Sequence, residues 1–285
     1  MEKEQRLLAV YAHPDDESFG TGGTLAKYAA EGVKVFLVCA TRGEVGEIAD
    51  PALATAETLG DVREQELRCA AQALGIEAPI FLAYRDSGMA DTPENDHPGA
   101  LVNADPKIVV AELVEIMRTL KPDVVLTFEP NGGYGHPDHI AIHKHAVAAF
   151  HAAADPAQYP AAGAPWQAGC LLYSAIPRSF FLEMKTILEE MGQDSSDFAR
   201  FEESEIGWPD ELIHIVVDVS GAVDQKWAAL QCHRTQFGPT NTFRRLPEPV
   251  MKQLMSREAF SQAWPPPEQG VRGCIFEDDG RDQTG

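Results

Sequence analysis

Short apolar runs alternate with helical patterns along the first part of the chain, and this alternation constrains the fold more than any other feature. The runs predict buried strands at residues 7–12, 33–40, 79–83, 123–128 and 170–176. Between them, apolar residues at helical spacing predict helices at residues 21–31, 61–74, 106–120 and 136–154. Strands that are apolar throughout are typical of a parallel sheet covered by helices on both faces. We therefore predict an α/β, Rossmann-like fold with a mostly parallel sheet.

The pattern weakens beyond about residue 176, where only a strand at 213–219 and a helix at 222–236 are predicted. A length of 285 residues is near the upper limit of about 250–300 for one hydrophobic core. We predict one domain over residues 1–285, with a catalytic core at about 5–176 and a smaller C-terminal lobe at about 177–285.

The net charge excludes several classes of partner. The chain has 23 Lys and Arg against 44 Asp and Glu, which gives −21 at pH 7. A field of that sign repels phosphate backbones and anionic head groups, so we expect no nucleic-acid partner and no membrane partner. The chain also has no apolar stretch near the ~20 residues of a membrane span, and its first apolar run is too short for a signal peptide. A cytoplasmic protein with a small-molecule substrate is expected.

The cysteine content also favours a cytoplasmic protein. There are five, they are scattered along the chain, and no CxxC pair occurs. This pattern predicts neither a disulfide framework nor a cysteine zinc site. It suits a reducing cytosol, with Cys39 as a buried thiol.

Two histidine–aspartate motifs follow predicted strands. His-Pro-Asp-Asp-Glu occupies residues 13–17 after the first strand, and His-Pro-Asp-His occupies residues 136–139 after the fourth strand and a glycine-rich loop. Ligands bind outside the carboxyl ends of parallel strands, and there the two motifs would meet. A single His-Pro-Asp is usually a loop cap, whereas two at one sheet edge favour a divalent metal.

Imidazole and carboxylate donors suit zinc, or iron(II) as the alternative. A catalytic zinc takes three protein ligands and keeps one position open for water. Such a set is available in His13, Asp16 and His139. Asp15 would then be left over, next to a ligand, to accept a proton from that water.

Other motifs are weaker. The glycines at 20–23 resemble a nucleotide-binding loop, but Leu25 stands where the third glycine of the dinucleotide fingerprint belongs. No GxSxG nucleophile elbow occurs. His143 follows His139 at helical spacing but lacks the intervening Glu of a zincin, so we interpret it as a packed or surface residue.

The segments Ala-His-Pro-Asp-Asp-Glu (12–17) and Gly-Gly-Tyr-Gly-His-Pro-Asp-His (132–139) resemble the signature of the PIG-L/LmbE family of metal-dependent N-deacetylases. The resemblance covers roughly residues 5–155 and extends to residues 43–44, 63–67, 85–89 and 233–236. It implies His13, Asp16 and His139 as metal ligands and Asp15 as general base.

The resemblance also implies roles for residues that the motifs alone do not assign. His136 would be the general acid or oxyanion stabiliser, with Asp138 orienting it. Tyr134 would polarise the carbonyl from a mobile loop. Arg63 and Asp86 would contact the sugar, although a surface ion pair and a turn would explain these two equally well.

Three functions stay open at this point. The first is a zinc-dependent hydrolase that removes the N-acetyl group from an N-acetylglucosamine-type sugar or its conjugate, such as N-acetylglucosaminyl-inositol. The second is an amidase of larger thiol-bearing conjugates that uses the same site. The third is a sugar-binding homologue without turnover. Family members assemble to varying degrees, so a homo-oligomer is also left open.

Overall fold

A single mixed sheet runs through the computed structural model, which describes residues 4–196, 207–239, 241–267, 272 and 274–276. Seven strands in these ranges form it, in the order β3-β2-β1-β4-β5-β7-β6. Their bounds are β1 Arg6–Tyr11, β2 Lys34–Cys39, β3 Ile80–Phe81, β4 Val124–Phe128, β5 Cys170–Ala175, β6 Ile215–Asp218 and β7 Arg257–Trp264. β1 to β5 are parallel to one another, whereas β7 is antiparallel to both β5 and β6.

Helices cover both faces of this sheet. Those in the described ranges are α1 Asp16–Gly20, α2 Gly22–Ala30, α3 Leu59–Leu74, α4 Pro106–Leu120, α5 Gly132–Gly135, α6 Pro137–Ala154, α7 Arg178–Glu190, α8 Val223–Cys232 and α9 Glu248–Leu254. α3 packs on α2 and α8, and α4 packs on α6. The chain moves outward through β1, β2 and β3 and returns through β4 and β5. Right-handed crossovers therefore place these two groups of helices on opposite faces, which confirms the predicted fold class.

Local sequence explains the helix ends. The side chain of Asp105 accepts a hydrogen bond from the backbone N–H of Lys107, and Pro106 occupies the first turn of α4. α3 ends at Gly75, which has φ 72°. A left-handed residue at that position is favourable for glycine because it has no Cβ. These ends agree with the predicted helices.

The C-terminal part differs from its prediction in two respects. The helix predicted at 222–236 ends at Cys232. After it, His233 contacts Glu17 on α1, and Thr235 contacts Glu66 on α3. The strand β7 was not predicted, because its sequence mixes charged and polar residues with apolar ones and forms no apolar run. β6 and β7 extend the main sheet, while α7, α8 and α9 surround a second apolar cluster that includes Met184, Leu230 and Met251.

The expectation that the cysteines stay unpaired is wrong for two of them. Cys69 on α3 and Cys232 at the end of α8 form a disulfide, although they are 163 residues apart in sequence. Cys39 lies outside this disulfide and is buried as expected. Spacing along the chain does not reveal the pair, because the packing of α3 on α8 brings the two sulfurs together.

None of the helices in the described ranges combines the length and the apolar character that crossing a bilayer requires.

Opening the Cys69–Cys232 disulfide should destabilise the protein. It closes a long loop, and loss of such a bond typically costs about 2–5 kcal/mol of unfolding free energy. The Cys69→Ser/Cys232→Ser double variant should therefore unfold at a lower urea concentration than the parent under oxidising conditions. In dithiothreitol the two proteins should unfold at the same concentration. Coincident curves without reductant would contradict the prediction.

Candidate metal centre

Two loops at the carboxyl ends of neighbouring strands build the site. β1 ends at Tyr11 and leads through the first motif into α1, while β4 ends at Phe128 and leads through α5 into α6. β1 and β4 are adjacent and parallel, so the two motifs meet at one edge of the sheet, as the sequence predicted. His13 and His139 face each other there, and both are buried.

Close approach of the second loop requires a glycine. Gly132 has φ 64°, and a Cβ at this position would lie 2.6 Å from the Cβ of His139. Any larger residue would therefore push α6 away from the turn before it. The glycine-rich loop thus brings His139 close to the first motif.

Three side chains converge on one point. His13 Nδ1 lies 3.1 Å from His139 Nε2, and Asp16 Oδ1 lies 3.2 Å from the same nitrogen. Asp16 Oδ2 lies 3.6 Å from His13 Nδ1. Tetrahedral ligands at the usual zinc distances are about 3.3 Å from one another. The spacing of this donor set therefore fits a divalent metal ion.

The outer nitrogens of both imidazoles are already engaged. His139 Nδ1 lies 3.0 Å from the carbonyl oxygen of Gly132, and the ring stacks on Phe128 with centroids 4.0 Å apart. His13 Nε2 lies 3.2 Å from Asp138 Oδ2. A carbonyl and a carboxylate only accept, so each outer nitrogen carries the hydrogen. The lone pairs of His13 Nδ1 and His139 Nε2 then face each other, as metal ligation requires.

His136 stands next to this set as a third imidazole. Its ring centroid is 4.5 Å from that of His13, and a nitrogen of each of the three histidines lies within one 4.8 Å cluster. His136 Nδ1 accepts the backbone N–H of Asp138 at 3.2 Å, which caps α6. Burial, followed by the neighbouring His13 and His139, lowers the pKa of His136 to about 4. The ring is therefore neutral near pH 7.

The carboxylate of Asp138 contacts His13 and Ser87: its oxygens accept from the ring of His13 and from the backbone and hydroxyl of Ser87. The family resemblance implies that Asp138 orients His136, and that role stays a prediction. Only the backbone N–H of Asp138 reaches His136. Asp138 is in the first turn of α6, and it is fully buried.

Asp15 adjoins Asp16 in the first motif and is held by Arg63. Its Oδ2 is 3.3 Å from Arg63 Nη2, and its backbone has φ 122°, an uncommon conformation for a residue other than glycine. Burial raises the pKa of Asp15 to about 6, although the guanidinium opposes the shift.

Arg63 is not on the surface, which excludes a solvent-exposed ion pair. It is 3% exposed and donates to the carbonyl oxygens of Pro14 at 2.6 Å and Gly43 at 3.0 Å. A Cβ on Gly43 would lie 2.2 Å from Arg63 Nη1, so a glycine is needed there. Arg63 thereby joins the first motif to the loop after β2.

The remaining predicted residues differ in exposure. Asp86 is buried, accepts the backbone N–H of Gly88 at 2.8 Å, and has Oδ1 3.6 Å from His13 Nε2. Tyr134 is 57% exposed, and its ring centroid is 5.1 Å from that of His139. Asp86 therefore lies behind the ligands, and Tyr134 lies at the rim of the site.

Sequence reasoning missed the residues that support the first motif from the C-terminal part. His233 Nε2 lies 2.8 Å from Glu17 Oε1, and Glu17 Oε2 accepts the backbone N–H of Asp15 at 3.1 Å. Glu66 accepts the backbone N–H of Thr235 at 2.8 Å and its hydroxyl at 2.6 Å. The stretch 233–236 is part of the family resemblance, and this resemblance was the sequence signal that could have indicated these contacts.

Fold and site together define a Rossmann-like α/β protein with a buried histidine–aspartate centre at the carboxyl ends of its strands. A family model described as PIG-L, GlcNAc-PI de-N-acetylase, matches residues 8–150. The chain belongs to the PIG-L family.

Two known proteins are similar to the chain, one in sequence and one in fold. A relative from Geodermatophilus obscurus, named 1D-myo-inositol 2-acetamido-2-deoxy-alpha-D-glucopyranoside deacetylase, is 40% identical over 293 aligned positions and covers 98% of each chain. The N,N'-diacetylchitobiose deacetylase of Pyrococcus horikoshii has a similar fold, with a TM-score of 0.64 and 21% identity over 91% of this chain and 84% of that one.

The fold is not restricted to deacetylases. A 4-carboxy-2-hydroxymuconate hydratase from Pseudomonas putida matches with a TM-score of 0.61 and 20% identity, covering 94% of this chain and 99% of that one. Function therefore has to be argued from the site.

The ion pair between His233 and Glu17 should make stability depend on pH. Burial alone would lower the pKa of His233, but the charge and hydrogen bond of Glu17 raise it above its ordinary value. The stabilisation is therefore complete below the unfolded pKa of about 6.5 and is lost as pH rises through the folded pKa. In metal-free protein, the stability difference between the parent and His233→Gln should be larger at pH 6 than at pH 9.

Urea denaturation at the two pH values measures this difference. His151→Gln, a matched change of an exposed histidine on α6, should show a small difference that is the same at both. A His233→Gln effect that grows with pH would mean that the ion pair does not stabilise the fold.

Proposed function

We propose that the protein is a zinc-dependent N-deacetylase that hydrolyses the acetamide of an N-acetylglucosamine-type sugar conjugate and releases acetate. One observation carries the proposal: His13 Nδ1, His139 Nε2 and the Asp16 carboxylate converge within 3.1–3.6 Å of one another. A second carboxylate, that of Asp15, adjoins them. Membership of the PIG-L family supports the same reaction class.

The substrate we propose is N-acetylglucosaminyl-inositol. The relative from Geodermatophilus obscurus carries this substrate in its name and matches along almost the whole chain. The net charge of −21 fits an amino-sugar product, which is a cation, and disfavours phosphorylated substrates.

His13, Asp16 and His139 would hold the metal. A divalent ion bound there supplies a Lewis acid for the amide carbonyl and lowers the pKa of water, which an unreactive acetamide needs. The donor set suits zinc and also iron(II), and we propose zinc as the resident ion.

Asp15 is the proposed proton acceptor for the attacking water. Its carboxylate is fixed from one side by Arg63 and its backbone N–H from the other by Glu17. Because both contacts are made by buried or nearly buried groups, the carboxylate keeps one orientation toward the ligands. A positioned general base of this kind contributes about 10²–10⁴ to the rate.

His136 is the proposed donor on the opposite side. Its Nδ1 accepts the backbone N–H of Asp138, so the hydrogen of the neutral ring is on Nε2. That hydrogen can stabilise an oxyanion during attack. Because the neutral ring has no second proton to give, the proton that Asp15 accepts from water is the one transferred to the departing amine. Tyr134, exposed at the rim, is the proposed second group that polarises the carbonyl.

Arg63 and Asp86 stay predictions as sugar contacts. Each is 3% exposed, and each acts first on the protein itself: Arg63 on Asp15, and Asp86 on the turn at Gly88. Cytoplasmic location and a homo-oligomeric assembly are likewise carried forward as proposals.

Acetate release tests the function directly. The protein should release acetate from N-acetylglucosaminyl-inositol faster than from N-acetylglucosaminyl-malate, chito-oligosaccharides or cysteinyl conjugates. Treatment with a chelator followed by its removal should abolish the release, because the three ligands then lack their ion. Added zinc should restore it. Acetate can be measured by a coupled assay on protein whose metal content is known.

Two outcomes would contradict the proposal. Undiminished acetate release from protein free of metal would exclude the metal-dependent mechanism. Preferential cleavage of a cysteinyl conjugate would instead favour the amidase activity at the same site.

Asp15→Asn should separate metal binding from turnover. The substitution removes the proton acceptor but keeps the size of the side chain, so zinc content should be unchanged while kcat falls by about 10²–10⁴. Asp224→Asn, a change at an aspartate that is 82% exposed in its side chain, is the control and should keep full activity. If Asp15→Asn retains more than a tenth of the activity, another group accepts the proton.

A further inference from the structure

Ser87 lies behind the candidate metal centre and touches none of its ligands. It follows β3 in the loop toward α4 and is fully buried. Both of its polar hydrogens point to one carboxylate: the backbone N–H donates to Asp138 Oδ2 at 2.8 Å, and the hydroxyl donates to Asp138 Oδ1. The hydroxyl oxygen also accepts the backbone N–H of Val102 at 3.1 Å.

The loop that carries Ser87 is itself anchored. The side-chain amide of Asn95 donates to the carbonyl oxygen of Ser87 at 2.5 Å, and that of Asn103 donates to the carbonyl oxygen of Asn95 at 2.6 Å. Asn95 thus holds the backbone of Ser87, and Val102 contacts its hydroxyl. The hydroxyl therefore acts as a fixed donor toward Asp138.

Asp138 in turn fixes the orientation of His13. Its side chain is fully buried, and Oδ2 lies 3.2 Å from His13 Nε2. The other nearby acceptor, Asp86 Oδ1, is 3.6 Å from the same nitrogen, outside good hydrogen-bond distance. Asp138 is therefore the partner that fixes the ring of His13, with Nδ1 turned toward His139 and Asp16.

We propose that Ser87 is a positioning residue for the metal, acting through Asp138 on His13. The inference rests on the proposed function, because it assumes that His13 binds an ion. With its only hydrogen given to Oδ1, the hydroxyl fixes the carboxylate plane, so that Oδ2 can accept from both His13 and the backbone N–H of Ser87. Without it, Oδ1 loses its donor in a buried site, and the carboxylate is free to turn away from the imidazole.

Groups that orient a histidine ligand from outside typically account for about 10–100-fold in metal affinity. Ser87→Ala should therefore weaken zinc binding by about 10–100-fold, and Asp138→Asn should do the same. Since both act along one chain of contacts, the double variant should bind zinc no more weakly than the poorer single variant. Competition with a chromogenic chelator at fixed pH measures each dissociation constant.

Ser261→Ala is the matched control. Ser261 is a buried serine on β7 whose hydroxyl donates to the carbonyl oxygen of Leu212 and accepts from Trp208 Nε1 at 2.7 Å. Its loss should lower the urea midpoint while leaving zinc affinity at the parental value. Ser87→Cys, which keeps the size and a weak donor, should bind zinc with intermediate affinity and serves if Ser87→Ala does not fold.

Activity at saturating zinc gives a second readout. A positioning residue affects how much enzyme is loaded, so kcat of Ser87→Ala should return to within a few-fold of the parent when zinc is in excess. Parental zinc affinity in Ser87→Ala, or effects of the two substitutions that add fully, would overturn the proposal. If the parent protein itself does not bind zinc, both the role of Ser87 and the proposed metal are wrong. The zinc titration of the parent alone identifies this outcome.

Discussion

Two imidazole nitrogens that face each other at 3.1 Å are the interaction on which the rest of the site depends. Each of the two rings, His13 and His139, donates its hydrogen to an acceptor on its far side, so both lone pairs point inward beside a carboxylate. Lone pairs repel at this distance unless a cation lies between them. The packing around the rings is thus arranged for an ion, and the neighbouring residues can be understood by what they do for it.

The C-terminal part of the chain contributes to that arrangement. His233 holds Glu17, and Thr235 holds Glu66 on α3, so the segment after α8 ties the first motif to α3. Glu258 on β7 accepts the backbone N–H groups of Gly23 and Thr24 at the start of α2, which follows α1. Residues beyond 176 therefore support the first motif and the helices after it, in addition to extending the sheet.

The sequence predicted the parallel part of the sheet well, because its strands are uninterrupted apolar runs and adjacent parallel strands bring their following loops together. It could not predict β7, whose Glu258 is a buried charge paired with Lys226 and looks like a surface residue in sequence. Nor could it predict the partner of Asp138, since Ser87 is 51 positions away and only the packed loop brings it near. The candidate ligands follow from sequence motifs, whereas the contacts that orient their side chains depend on the tertiary structure.

A hydratase has a similar fold, so the fold alone does not determine the reaction. In this chain the conformation of Asp15 illustrates the difference. A φ of 122° is costly for a residue with a Cβ, by about 1–3 kcal/mol, and persists only if surrounding contacts hold it. Arg63 and Glu17 provide those contacts. Two buried partners thus offset the strain at this one position. Such an arrangement is expected for a carboxylate that is held in one direction, as the proposed role of Asp15 requires.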